Sequence, residues 1–77
     1  MKKYILISDT ENGLGLDGVH DTPVAAFAHM QELFADECWD YDGRDEWANE
    51  SYSAVISRER MSACYDCNDW KIVEVEL

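Results

Sequence analysis

Only one stretch of this chain carries a long helical period, and that stretch decides the fold class. At Asp21-Thr22-Pro23, side chains able to accept from free backbone N–H groups precede a proline, whose fixed φ and missing donor suit the first helical position. Beyond it Val24, Phe27, Ala28, Met30, Phe34, Ala35 and Cys38 gather on one broad face, with His29, Glu32 and Asp36 opposite. Gln31 intrudes on the apolar face and Leu33 lies off it, so the helix is expected to touch structure on two sides. A helix with such a stripe has to bury it against another layer, and the segments on either side have the two-residue period of strands.

Lys3 to Ser8 alternates, with Ile5 and Ile7 on one face and Tyr4 and Leu6 on the other, as a strand in mid-sheet would. Asn12-Gly13 predicts a type I′ hairpin turn, in which both central residues need positive φ. Leu14, Leu16 and Val19 then form a return strand, which Gly15 and Gly18 weaken. After the helix the chain is expected to fray between Cys38 and Gly43, and Arg44 to Asn49 to make one further helical turn. Tyr52 to Ser57 alternates with Tyr52, Ala54 and Ile56 on one face, and Arg58 to Met61 reads as a turn or short helix. Asp69 to Leu77 reads as the last strand, with Val73, Val75 and Leu77 toward the core and Glu74 and Glu76 outward. The expectation is one α+β domain over residues 1–77: a three- to four-stranded, mostly antiparallel sheet with one long amphipathic helix packed on one face.

A chain of 77 residues buries only about 60% of its surface on folding, too little to enclose a deep enzyme cleft. With 47% hydrophobic residues it is nonetheless globular, although the net charge of -11 opposes compaction. That sign excludes direct binding to nucleic acid or to an anionic membrane through phosphate neutralisation, because the six Lys and Arg are scattered at 2, 3, 44, 58, 60 and 71. No apolar run approaches the ~20 residues of a membrane span. Lys2-Lys3 followed by Tyr4 to Ile7 is too short for a secretory signal, and the cysteines at 38, 64 and 67 are odd in number, so a cytosolic, reducing location is expected.

Four patterns invite a chemical reading. Gly13-Leu14-Gly15-Leu16-Asp17-Gly18 matches the dinucleotide fingerprint in form, but Asp9, Glu11, Asp17 and Asp21 would crowd a pyrophosphate without a cation, so it is read as a turn. Cys64-Tyr65-Asp66-Cys67 with Cys38 and His20 or His29 offers zinc ligands, yet the second knuckle is missing. The pair also precedes a strand rather than opening a helix, where a redox thiolate is stabilised. Asp40-Tyr41-Asp42-Gly43-Arg44-Asp45 resembles part of a calcium loop, but alignment on Gly43 puts Cys38 first and Asn49 twelfth. Seven crowded carboxylates with no neighbouring histidine single out no acid and base pair, and His20 and His29 are expected to face solvent or to be satisfied locally. No catalytic residue, metal ligand or cofactor is therefore assigned.

What remains is the run from Asp36 to Glu50, with seven carboxylates, three large aromatics and one arginine in fifteen residues. Glu32, Asp36 and Asp40 fall four apart, which on a helix sets neighbours about 5 to 6 Å from one another, close to phosphate spacing. Such an array suits a groove lined with Arg and Lys. Glu32, Asp36, Glu37, Asp40, Asp42, Asp45, Glu46 and Glu50 would supply charge, and Trp39, Tyr41 and Trp47 the apolar anchors. Trp39 borders the apolar helix face and so competes for a place in the core.

In size, charge, lone helix on a small sheet and the Asp36 to Glu50 run, the chain resembles the small acidic proteins that phages and mobile elements use against host defence, among them anti-CRISPR and anti-restriction proteins. The resemblance implies a DNA mimic without turnover that occupies a basic host protein or ribonucleoprotein complex. The alternatives are a small acidic structural or regulatory domain without mimicry, and a module binding Zn or Ca.

Overall fold

The structure, a computed structural model, describes residues 1–77. Six antiparallel strands and one helix follow one another as β1 (Lys2–Thr10), β2 (Gly13–His20), α1 (Pro23–Glu37), β3 (Glu46–Asn49), β4 (Ala54–Ser57), β5 (Ser62–Tyr65) and β6 (Asn68–Glu76). A 3-10 turn at Glu50–Tyr52 joins β3 to β4. The strands form one sheet in the order β2-β1-β6-β5-β4-β3, with α1 across one face. The architecture is α+β with a single helix, as expected, but the sheet has six strands where three or four were predicted. The two unforeseen strands, β3 and β5, are four residues each, too short for their alternation to stand out, and pairing with β4 and β6 holds them. Residues 46–49, expected in a helical turn, pair instead with 54–57, because Trp47 and Asn49 turn inward at strand spacing.

The Thr22 hydroxyl caps α1 as the sequence implies, accepting from the Ala25 N–H at 3.1 Å, and Pro23 follows it. The buried stripe is turned from the expected one. Ala26, Phe27, Met30 and Phe34 are buried and Leu33 half-buried, whereas Val24, Ala28 and Ala35 are exposed. The alanines make the apolar face ambiguous in sequence, and the small side chain of Ala26 lets the helix lie close to the sheet.

Beneath the helix lie Leu6, Ser8, Trp70 and Ile72, brought side by side by the pairings Leu6 with Ile72 and Ser8 with Trp70, together with Ala54, Ile56 and Ala63. The last strand therefore presents the opposite residues to those predicted. Val73 and Val75 lie on the far face, Leu77 is exposed, and the core side carries Trp70 and Ile72 before running out past the helix into Glu74 and Glu76. There Tyr4 O–H donates to Glu74 at 3.1 Å and the N-terminal ammonium sits 3.1 Å from Glu76, so these carboxylates are met at the sheet's end.

The first hairpin also differs from the type I′ expectation. Thr10 pairs with Gly13, so Glu11 and Asn12 form the tip and only Gly13 takes a positive φ, +103°. The glycines of the dinucleotide-like motif lie along β2, and Gly18 sits under the His29 side chain of α1: a Cβ there would lie 2.9 Å from His29 Nδ1 and 3.0 Å from His20 Nε2. These two rings, expected to face solvent or be satisfied locally, are satisfied by each other, their nitrogens 3.0 Å apart. No helix is long and apolar enough to cross a membrane.

Candidate protein-binding surface

The helix stops at Glu37, where Cys38 N–H still donates to the Phe34 carbonyl at 2.8 Å, and the acidic run leaves it as an extended loop. Asp40 is thus off the helix, and only Glu32 and Asp36 keep the four-residue spacing of a phosphate-like array. Three donors hold Asp40 against the protein: the Tyr52 hydroxyl, the Cys38 thiol at 3.2 Å and Asn49 Nδ2 at 2.9 Å. The Tyr52 hydrogen bond, before the others, lowers the Asp40 pKa, and the same bond to Asp40 pushes that of Tyr52 well above a tyrosine's ordinary value. Asp40 therefore fastens the loop to the 3-10 turn.

Two of the expected aromatic anchors are packed inward. The rings of Tyr41 and Trp47 meet Phe34 edge-on at centroid distances of 5.0 and 5.9 Å and each other at 5.5 Å. Tyr41 O–H donates to the Arg44 carbonyl at 2.6 Å and accepts from Gln31 at 3.0 Å, which accounts for a glutamine among the apolar positions of α1. Trp39 goes the other way and is 90% exposed, so its competition for the core is resolved toward solvent.

The other carboxylates divide in the same manner. Asp42 caps the Arg44 N–H at 3.2 Å and meets the guanidinium at 2.8 Å, where Gly43 turns the chain with φ +91°. Asp45 lies 3.9 Å from Arg58, and Glu46 accepts from the Glu59 N–H at 2.9 Å, a bond that lowers its pKa. Glu32, Asp36, Glu37 and Glu50 are exposed and make neither a hydrogen bond nor an ion pair. Between the outer side of α1 and the loop lies an open groove of about 460 Å³, floored by Ala28 and Ala35 and flanked by Glu32 and Asp42. Sequence reasoning missed this groove and the structural role of Tyr52; the exposed alanines of α1 were the only signal for the former.

The motifs with possible metal chemistry do not assemble. No three His, Cys, Asp or Glu side chains converge where they could hold an ion. Cys64 lies in β5 while Cys67 is in the following turn, and all three cysteines are free. Burial pushes the Cys64 thiol up to about 11, with Asp69 adding to the effect, the Asp66 charge raises Cys67, and burial raises Cys38. Each thiol is thereby held away from the thiolate form that nucleophiles and metal ligands require.

Comparison with protein-family models, curated proteins and solved structures finds no match to this chain.

Proposed function

We propose that the protein is an acidic inhibitor that binds, without turnover, the basic nucleic-acid-binding surface of a host protein or ribonucleoprotein complex in the cytosol, as an anti-CRISPR or anti-restriction protein of phage origin does. The observation that carries this reading is the exposed Trp39 amid the unpaired carboxylates Asp36 and Glu37, on a chain of net charge -11. A large apolar ring held in water beside uncompensated charge is costly to solubility and suits an interface in which charge steers the encounter and the ring fixes residence. Glu32 and Asp42 extend the surface along the groove, and Glu50 stands at the 3-10 turn. The binding contribution shifts accordingly from the whole run toward Glu32, Asp36, Glu37 and Trp39, with Tyr41, Trp47, Asp40 and Glu46 shaping the support.

A second reading, an acidic domain without mimicry, draws on the internal partners of Asp40, Asp42, Asp45 and Glu46, four of the seven carboxylates in the run. Retrieval of host proteins at low and at moderate salt separates the two. Mimicry requires a basic, nucleic-acid-binding partner that a DNA fragment displaces. The triple change Asp36→Asn, Glu37→Gln and Glu32→Gln should then slow association with a shallower salt dependence, and Trp39→Ala should speed dissociation. Retention of the same partner by all four substitutions together would leave the acidic run as a solvated face.

A further inference from the structure

The half of the sheet formed by β2, β1 and β6 presents an uncovered, largely apolar surface on the side away from α1, and we infer that a second copy of this chain packs on it, face to face, to form a homodimeric sandwich. Register places Ile5 beside Val19 and Val73, Ile7 beside Leu16, and Val75 beside Lys3, all on the side opposite Leu6 and Trp70. The outer members stand in solvent: Leu16 is 67% and Val19 54% exposed, and Leu14, beyond them, 80%. Aliphatic strand positions of this kind normally alternate with polar ones when a sheet face is left to water. Here β1 and β6 put apolar residues on both faces, the pattern of strands covered on both sides.

Charge distribution favours a second copy over a foreign partner. The ionised residues that register puts on this side are Lys3, Asp9, Glu46, Asp69 and Lys71, and Asp21 pairs with Lys3, so the face carries both signs and little of the chain's charge of -11, and its lysines can meet carboxylates of a second copy. The unpaired carboxylates Glu32, Asp36 and Glu37 lie on or at the end of the helix, across the sheet. A molecule 17 Å in its thinnest dimension holds them beyond the ~8 Å over which physiological salt screens charge, so two copies joined at this face do not bring their acidic surfaces together. The face also lacks the aromatic and arginine residues that dominate exchangeable interfaces and has the aliphatic composition of a permanent one. The apolar residues run across three adjacent strands, β2, β1 and β6, of eight and nine residues each, one half of the six-stranded sheet. The dimer would leave both copies of Trp39 and its acidic neighbours facing outward.

Sedimentation equilibrium of the parent protein tests this directly. The expected mass is twice the chain's 8.9 kDa. Leu16→Glu should halve it, since a buried carboxylate on an apolar interface is unpaired, while Ala28→Glu on the outer side of α1 should leave it doubled. Because a permanent dimer can fail to fold when split, a second measurement uses the parent alone: equal amounts of isotope-labelled and unlabelled protein are refolded together and treated with a lysine cross-linker. Mixed-isotope links between Lys71 and Lys71 or Lys3 are expected. A parent of single-chain mass, a mass halved by Ala28→Glu but not by Leu16→Glu, or an absence of mixed-isotope links at Lys3 and Lys71 overturns the inference.

Discussion

Replacing Phe34 by alanine should remove a large part of the stability of this fold and loosen the acidic loop with it. Phe34 is fully buried, and its ring is met edge-on by Tyr41, Trp47 and Trp70 at 5.0, 5.9 and 6.1 Å, so it joins the helix to the loop, to β3 and to β6 at one point. Truncating a buried phenylalanine costs about 3 to 5 kcal/mol. The three edge contacts add to area burial and place this site at the upper end. Total stability for 77 residues is about 4 to 12 kcal/mol at the usual 0.05 to 0.15 kcal/mol per residue. Phe34→Leu keeps most of the volume but loses the three edge contacts, so it should cost less than Phe34→Ala without being neutral. Urea unfolding followed by tryptophan fluorescence measures both, since Trp47 and Trp70 leave the cluster on unfolding while Trp39 is already in water. A Phe34→Ala midpoint lowered by less than the Phe34→Leu change would refute the assignment of Phe34 as the centre of the core.

Gly18→Ala should destabilise by about 1 to 3 kcal/mol because its Cβ collides with the His29 and His20 rings, and the penalty should shrink in a His29→Ala background, which thermal melts of the double-mutant cycle will read. The Asp40 carboxyl is lowered in the folded state, so its contribution is present above the unfolded value near 4 and is lost as pH falls; Asp40→Asn should flatten the acid side of a melting-temperature profile. Tyr52 is raised, so its contribution is full below the unfolded value near 10 and is lost as pH rises; Tyr52→Phe should flatten the alkaline side while Tyr4 and Tyr41, also raised, keep part of the slope. A chelator should leave the thermal midpoint unchanged, and a fall of many degrees would point to a structural metal.

The helix and first strand were legible because their signals are local: a cap, a proline and a stripe in one case, a clean alternation in the other. β6 was legible as a strand but not in its facing. Asn68-Asp69-Trp70-Lys71-Ile72-Val73-Glu74-Val75-Glu76 holds apolar residues at both parities, and only pairing with β1 puts Trp70 and Ile72 under the helix. β3 and β5 exist through β4 and β6, and a four-residue segment has no period of its own to detect.

The acidic run was legible as a stretch of sequence, but the placement of each of its carboxylates was not, for an electrostatic reason. Charge density along a sequence counts every carboxylate alike, whereas the folded chain gives each one a different set of donors. Asp40 is two positions from Asp42 and ten from Glu50, yet Tyr52, Asn49 and Cys38 converge on the first, Arg44 on the second and nothing on the third. A carboxylate already serving internal donors can still add to the long-range field that speeds encounter, but it cannot reorient toward a partner's guanidinium without breaking the bonds that hold the loop. On the proposed function, neutralising Asp40 should therefore disturb the fold and binding together, whereas neutralising Asp36 or Glu37 should alter binding and leave the fold intact.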